Sequence, residues 1–485
     1  MSKFFNNLQI QIIYLLLNKV ILAKTILMPL IKSISGIRGT IGNRVGEDLT
    51  NEDVILFTIS YIKWLKSVNF SLNHSIVVGR DARTSGPMIE SLVIQTLTSM
   101  GVNVISLGLS TTPTVEIAVT EENADGGIII TASHNPKNWN ALKLLNHKGE
   151  FISQSDGNNI LAIADSKPTI EKNIQKGNVK KINNYISKHI DLILNLYSVN
   201  VQSIKKKQLK IVVDAVNSTG GIAVPELLKK MGVEVVELYC TPNGEFPHDP
   251  EPLKDNLKEL SELVVKTKAN LGIVVDPDVD RLAFVCENGD VFGEEYTLVA
   301  CADYYLQQNP GNTVSNLSSS RAMKDLSNSK NCNHYFSKVG EVNVVELMKV
   351  KNAVIGGEGN GGIILPEFHY GRDALVGIAL FLTHFSNLNM KMTELKNSLP
   401  AYYMSKSKVK LGEGVKLDEI LKSIRDKYSE EEINTLDGLK IDFKDSWVHL
   451  RKSNTEPIIR IYSEAKSQNE ANLLAEKFVS EISKY

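Results

Sequence analysis

The residues Thr131-Ala132-Ser133-His134-Asn135-Pro136 follow directly on the apolar run Gly127-Ile128-Ile129-Ile130. This puts a serine on a loop at the end of a buried strand, where α/β folds carry reactive groups. His134 and Asn135 add hydrogen-bonding groups, His134 can also carry a proton, and Pro136 stops the strand from continuing. A second cluster, Asp276-Pro277-Asp278-Val279-Asp280-Arg281, alternates three carboxylates that converge on one hard divalent cation if the loop is extended. An EF-hand does not fit, because Arg281 stands where that loop needs glycine and the flanks, Leu271–Val275 and residues 282–285, are strand-like. Magnesium with few protein ligands, completed by a phosphate oxygen, fits better, since three carboxylates this close repel unless something positive binds.

Two further loops extend the chemistry. Gly356-Gly357-Glu358-Gly359-Asn360-Gly361-Gly362 lacks the lysine and Ser/Thr of a P-loop and the spacing of a dinucleotide fingerprint. Glu358 and Asn360 are its only side chains with polar reach, which suits the hydroxyls of a neutral polyol. Arg451, Ser453, Asn454 and Thr455 gather donors between two strands, a set able to grip a phosphate dianion without a metal. Arg38, Arg80, Lys143 and Arg281 add cations. A hydroxyl nucleophile, a divalent-metal loop, a hydroxyl-binding loop and a phosphate clamp together point to phosphoryl transfer involving a sugar phosphate.

The elements that position these loops repeat. Residues 76–79 read as a strand, 87–100 as a helix with Pro87 in its first turn and Gly101 at its end, 102–107 as a strand and 112–120 as a short helix. The phrase recurs through strands at 209–213, 233–238 and 271–275 with a helix at 220–231, and again from the strand at 314–317 and its loop Ser318-Ser319-Ser320-Arg321 to the strand at 353–355. Strands alternating with helices imply parallel βαβ units, each closing in a chemically loaded loop. The last stretch differs: strands at 447–450 and 458–462 flank the phosphate loop and a helix follows from about residue 469, as in a smaller α+β domain.

Bulk properties fit this reading. The 485 residues suggest roughly three or four domains. A composition of 42% hydrophobic and 22% charged residues, with net charge −1, is that of a soluble globular chain and advertises neither nucleic acid nor membrane as a partner. Four scattered cysteines without a C-x-x-C spacing argue against zinc and disulfides and fit a reducing, cytoplasmic compartment. Near the start, residues 8–17 and 20–23 are largely apolar, but Gln9, Gln11, Asn18 and Lys19 interrupt them. That run is short for a membrane span and has no convincing cleavage site. Residues 1–27 are therefore expected to be an appendage outside the fold, or to precede a true start at Met28.

The four loops, in this order, resemble the α-D-phosphohexomutases, which include phosphoglucomutase, phosphomannomutase and phosphoglucosamine mutase. The resemblance runs from about residue 28 to the C-terminus. It implies an α/β protein with three related mixed α/β domains plus a C-terminal α+β domain of the TATA-binding-protein-like type around a central cleft, at residues 28–185, 186–290, 291–396 and 397–485. It further implies that Ser133 is carried as a phosphoserine, and that Asp276, Asp278 and Asp280 with an oxygen of that phosphoserine hold Mg²⁺. A hexose 1,6-bisphosphate is the implied intermediate and activator. Glu358 and Asn360 would orient a hexose phosphate, while Arg451, Ser453, Asn454 and Thr455 hold its non-reacting phosphate. Arg38, His134, Lys143 and Arg281 would line the reacting centre, with Lys143 and His134 handling protons.

Many members have serine where Asn360 stands. Lys338-Val339-Gly340-Glu341 lies in the other specificity region, where Glu341 facing an amine would favour glucosamine phosphate. Gly371-Arg372-Asp373-Ala374-Leu375 points the same way, whereas Asn454 looks more like the phosphomannomutase and phosphoglucomutase members. The preferred expectation is a phosphoglucosamine mutase, acting as a monomer or homodimer. Phosphomannomutase/phosphoglucomutase is the alternative, and after it a metal-dependent sugar phosphatase, although hydrolysis does not require regripping a bisphosphate.

Overall fold

The computed structural model describes residues 30–484 apart from 34–35, 69–74, 172–173, 411–416 and 453–457. The N-terminal segment 1–27 with the start at Met28, and Ser453, Asn454 and Thr455 of the phosphate loop, lie outside the described residues.

Three mixed sheets carry the repeated phrase. In the first, Ser75–Arg80 lies between Asn103–Leu109 and Gly126–Ile130, all parallel, and Trp139–Leu145 then returns antiparallel to Gly126–Ile130. The second runs Glu234–Leu238, Lys210–Asp214 and Leu271–Val275 in parallel, followed by antiparallel Leu282–Cys286. The third runs His334–Ser337, Asn312–Asn316 and Ala353–Glu358 in parallel, with Gly362–Leu365 and His369–Arg372 antiparallel. Each loaded loop is therefore the connection of a hairpin between a parallel and an antiparallel strand. Parallel βαβ alternation accounts for only part of each sheet, because a parallel return needs a crossover of about a dozen residues or more.

The fourth sheet, Tyr403–Lys410, Ile458–Ala465, Trp447–Lys452, Leu439–Asp442 and Glu432–Asn434, is antiparallel throughout. Helices Leu417–Lys427 and Gln468–Ile482 pack on it through Ile420, Ile424, Phe478 and Ile482.

The second and third sheets share one continuous core around the helix Ala374–Asn387, whose residues 374–385 are all buried. Asp373 caps that helix by accepting from the Leu375 and Val376 amides at 2.8 and 3.2 Å. Arg321, from the serine-rich turn, docks the fourth sheet on the third: its guanidinium donates to Asp442 Oδ1 at 2.9 Å and to the carbonyls of Phe443 and Ser446 at 3.0 Å. No helix among the described residues is long and apolar enough to cross a membrane.

Candidate active site

The serine loop is held in a conformation that its residue types do not favour. Ser133 has φ +49°, a left-handed backbone that costs a non-glycine residue about 1–3 kcal/mol. Its amide donates to Thr131 Oγ1 at 2.9 Å, and that hydroxyl donates to Asp81 Oδ2 at 2.7 Å. Arg83, wholly buried, supplies the rest of the restraint. Its guanidinium donates to the carbonyls of Ser133, Asn135 and Pro136 at 2.6 Å and of Trp139 at 3.1 Å, while Nε pairs with Asp81 at 3.0 Å. The serine is not displayed to solvent but is 3% exposed under the acidic loop, its hydroxyl donating to Asp276 Oδ2 at 2.7 Å. His134 Nδ1 lies 3.4 Å from Ser133 Oγ. Burial first, then the guanidiniums of Arg281 and Arg38, hold the His134 imidazole well below its usual range, so it stands neutral.

The three aspartates do converge, but not through an extended loop. Val279, a β-branched residue at φ +63°, turns the chain, and its amide donates to the Asp276 carbonyl at 3.1 Å. The turn gathers one oxygen from each of Asp276, Asp278 and Asp280 within 4.8 Å, all three fully buried. Burial and the two neighbouring carboxylates push Asp276 well above the usual range. Burial opposes the charge of Asp278 and Asp280 too, but Lys143 outweighs it at Asp278 and Arg372 at Asp280, and both are lowered. Lys143 Nζ reaches Asp278 Oδ2 at 2.7 Å and Asp280 Oδ2 at 3.5 Å, and Thr112 Oγ1 donates to Asp278 Oδ2 at 2.6 Å. The Oδ1 atoms of Asp278 and Asp280 are buried with no hydrogen-bond partner, although Arg281 Nε lies 4.0 Å from that of Asp280. An all-oxygen set with two orphaned oxygens and one carboxylate destabilised by its neighbours suits a hard divalent cation such as Mg²⁺.

The glycine-rich loop is a tight hairpin turn with Gly361 at φ +86°. Glu358, 4% exposed, accepts from Asn316 Nδ2 at 2.8 Å and the Gly340 amide at 2.9 Å through Oε1. Through Oε2 it accepts from Arg372 at 2.8 Å and from Asn360 Nδ2 at 3.4 Å. Glu341 does not stand free to face a ligand: its two oxygens accept from the Arg372 amide at 2.8 Å and from Arg372 Nε at 3.1 Å. Lys338 is exposed in the loop before it.

At the far side, Arg451 is the last residue but one of the strand Trp447–Lys452, and its Nε lies 2.9 Å from Asp437 Oδ2. The same oxygen accepts from the Val339 amide at 3.0 Å, linking the phosphate-clamp strand to the 338–341 segment.

Among the remaining cations, Arg38 donates to Asn135 Oδ1 at 2.8 Å, and burial lowers its guanidinium to about 10. Arg281 pairs with Glu251 at 2.9 Å. Arg80 is a correction: it turns to Glu90 at 2.8 Å, and the neighbouring Arg83 is the one that reaches the serine loop.

Ser133, Lys143 and the aspartates thus form one buried group edged by the half-buried His134 and Arg38, and Glu341 and Glu358 join it through Arg372. Arg83, Thr112, Arg372 and Asp437 were not foreseen. Arg372 lies in the phrase 371–375 noted for its resemblance alone. Arg83 had as its only cue a place in the polar turn ahead of the Pro87 helix.

A strained, buried serine hydrogen-bonded to one of three metal-suited aspartates, at the meeting of three related sheets, has the make-up that phosphoryl transfer needs, in a four-domain α/β protein. Residues 31–171, 187–289 and 293–403 match phosphoglucomutase/phosphomannomutase alpha/beta/alpha domains I, II and III, and residues 406–481 match the C-terminal domain of the same family. The chain belongs to the phosphoglucomutase/phosphomannomutase family.

It is 35% identical to a phosphoglucomutase/phosphomannomutase of Thermococcus kodakarensis over 438 residues, covering 89% of this chain and 95% of the relative. It is also 35% identical to a phosphoglucosamine/phosphogalactosamine mutase of Sulfurisphaera tokodaii over 449 residues, covering 90% of this chain and 96% of the relative. Among solved structures, a phosphoglucomutase/phosphomannomutase family protein of Burkholderia thailandensis superposes with a TM-score of 0.80 at 25% identity, covering 92% of this chain and 96% of the other.

Proposed function

We propose that this phosphohexomutase interconverts glucosamine 6-phosphate and glucosamine 1-phosphate through a phosphorylated Ser133 and a bound bisphosphate. The observation that carries the reading is the 2.7 Å bond from the Ser133 hydroxyl to Asp276 within the buried aspartate trio. In the forward step, the phosphorus–oxygen bond to Ser133 Oγ breaks as a bond forms to the free sugar hydroxyl, whose proton passes to the neutral His134 while the departing Ser133 Oγ regains a proton to become the hydroxyl. The bisphosphate then turns over, and its other phosphate returns to Ser133. Mg²⁺ held by Asp276, Asp278 and Asp280 supplies neutralising charge at the transferring oxygens when bound. Lys143 and Arg38 add positive charge beside that centre, and Arg281 and Lys338 are assigned to substrate binding.

Glu358 and Asn360 orient the sugar. Arg451, together with Ser453, Asn454 and Thr455, holds the distant phosphate, so that remote binding positions the reacting group. The glucosamine preference rests on the phrase 371–375 and on the amino-sugar name of the Sulfurisphaera relative. The Thermococcus name keeps phosphomannomutase/phosphoglucomutase substrates as the alternative.

The test pairs a substrate panel with mass spectrometry. Glucosamine, glucose and mannose phosphates are compared by kcat/KM with a hexose 1,6-bisphosphate present, and intact mass is read for wild type and Ser133→Ala. Highest kcat/KM for glucosamine phosphate, a one-phosphate mass increment lost in S133A and no net phosphate release are expected. Phosphate release without isomerisation would instead indicate a phosphatase.

A further inference from the structure

Arg372 joins three loops of the site. Its amide and Nε take the two oxygens of Glu341, its Nη1 takes Glu358 Oε2 at 2.8 Å, and its Nη2 takes Asp280 Oδ2 at 2.7 Å. Glu358 in turn accepts from the amide of Gly340, the residue before Glu341. The 338–341 segment, the glycine-rich hairpin and the metal loop are therefore fastened by one guanidinium that is 8% exposed. A second feature points the same way. A Cβ on Gly362 would overlap Arg372 Cδ, a mid-chain atom that cannot withdraw while the guanidinium is held, so the glycine makes the room in which the arginine lies.

We infer that Arg372 is the specificity-determining residue of the sugar pocket, acting by masking the charge of Glu341. Resting on the mutase reading above, this makes glucose phosphate a second substrate beside the preferred glucosamine phosphate. With its carboxylate neutralised by Arg372, Glu341 does not select an ammonium over a hydroxyl by charge, and glucosamine phosphate is accepted without glucose phosphate being rejected. Freeing Glu341 would turn the pocket acidic and favour the amine.

The quantity to measure is the ratio of glucosamine 6-phosphate to glucose 6-phosphate affinity, by calorimetry in a Ser133→Ala background and by kcat/KM in the active enzyme. The shared phosphate and metal contacts cancel in that ratio. E341Q alone is expected to change it by less than about three-fold, because the charge it removes is already masked. R372Q should raise it on the order of ten-fold, the scale of one newly exposed charge-assisted hydrogen bond, and R372Q/E341Q should bring it back. A loss of amine preference larger than three-fold in E341Q overturns the proposal, as does a folded R372Q with an unchanged ratio. Should R372Q fail to fold, E341Q alone decides, on the same three-fold limit. Wild type that binds hexose phosphates in these ratios but isomerises none of them refutes the mutase reading and leaves the masking intact.

Discussion

Replacing Arg83 with methionine should unfasten the serine loop from below without touching the reacting atoms. Methionine keeps most of the arginine's apolar volume but loses all five of its side-chain hydrogen bonds: four to the carbonyls of Ser133, Asn135, Pro136 and Trp139, and one to Asp81. Both members of the Asp81–Arg83 pair are 0% exposed, so the substitution strands a carboxylate in the interior. Breaking a buried pair in this way costs about 3–5 kcal/mol, which for a domain of this size lowers the melting temperature by roughly 6–20 °C. Burial already raises the Asp81 carboxyl, so in R83M it can relieve the charge by taking a proton. The deficit should therefore shrink toward acid pH, and D81N/R83M should recover part of it at neutral pH. Without its restraint, the left-handed Ser133 backbone should relax, reducing the phosphoryl content proposed for that serine. Calorimetry gives the melting temperature and intact mass gives the phosphoryl content. An R83M protein melting within about 2 °C of wild type with Ser133 loaded as before would refute the view that this arginine holds the strained loop.

Saturating Mg²⁺ should raise the melting temperature relative to EDTA, by about 2.7 kcal/mol of stability at a hundred times the dissociation constant. D278N should lose most of that rise, and a cation-independent melt in wild type would rule the aspartates out as a metal site. His449, 2% exposed at the contact of the third and fourth sheets, makes a pH-dependent contribution. Burial lowers its imidazole to about 4, with Nδ1 2.9 Å from Ser318 Oγ and Nε2 2.6 Å from the Asp437 carbonyl. Because the unfolded chain binds the proton first, stability should fall as pH drops from about 6.5 toward 4, by about 2 kcal/mol at pH 5. H449Q should flatten that slope, and an unaltered slope would show that the histidine is not its source.

Much of the site could be read from the chain because its chemistry is local. The serine, the aspartates and the glycine-rich run each occupy six or seven consecutive residues, and apolar strands with Pro and Gly at helix ends frame them. The antiparallel return strands were less legible, since an apolar strand of five residues looks the same in either direction. Val279 shows the limit most clearly: alternation implied an extended loop, yet a β-branched residue is held at positive φ by the core around it.

The sequence by itself determined which chemistries are present and on which loops, because hydroxyl, carboxylate and guanidinium groups keep their character wherever they fold. Only the tertiary structure decided which charges meet. Arg83 reaches the serine loop across 50 residues, Lys143 reaches Asp278 across 135, and Arg372 reaches Asp280 across 92. In a buried site that pairing sets charge and protonation, because the interior screens charges far less than water does. It left His134 neutral, Glu341 masked and the aspartate oxygens open to a cation, none of which a one-dimensional pattern of residue types contains.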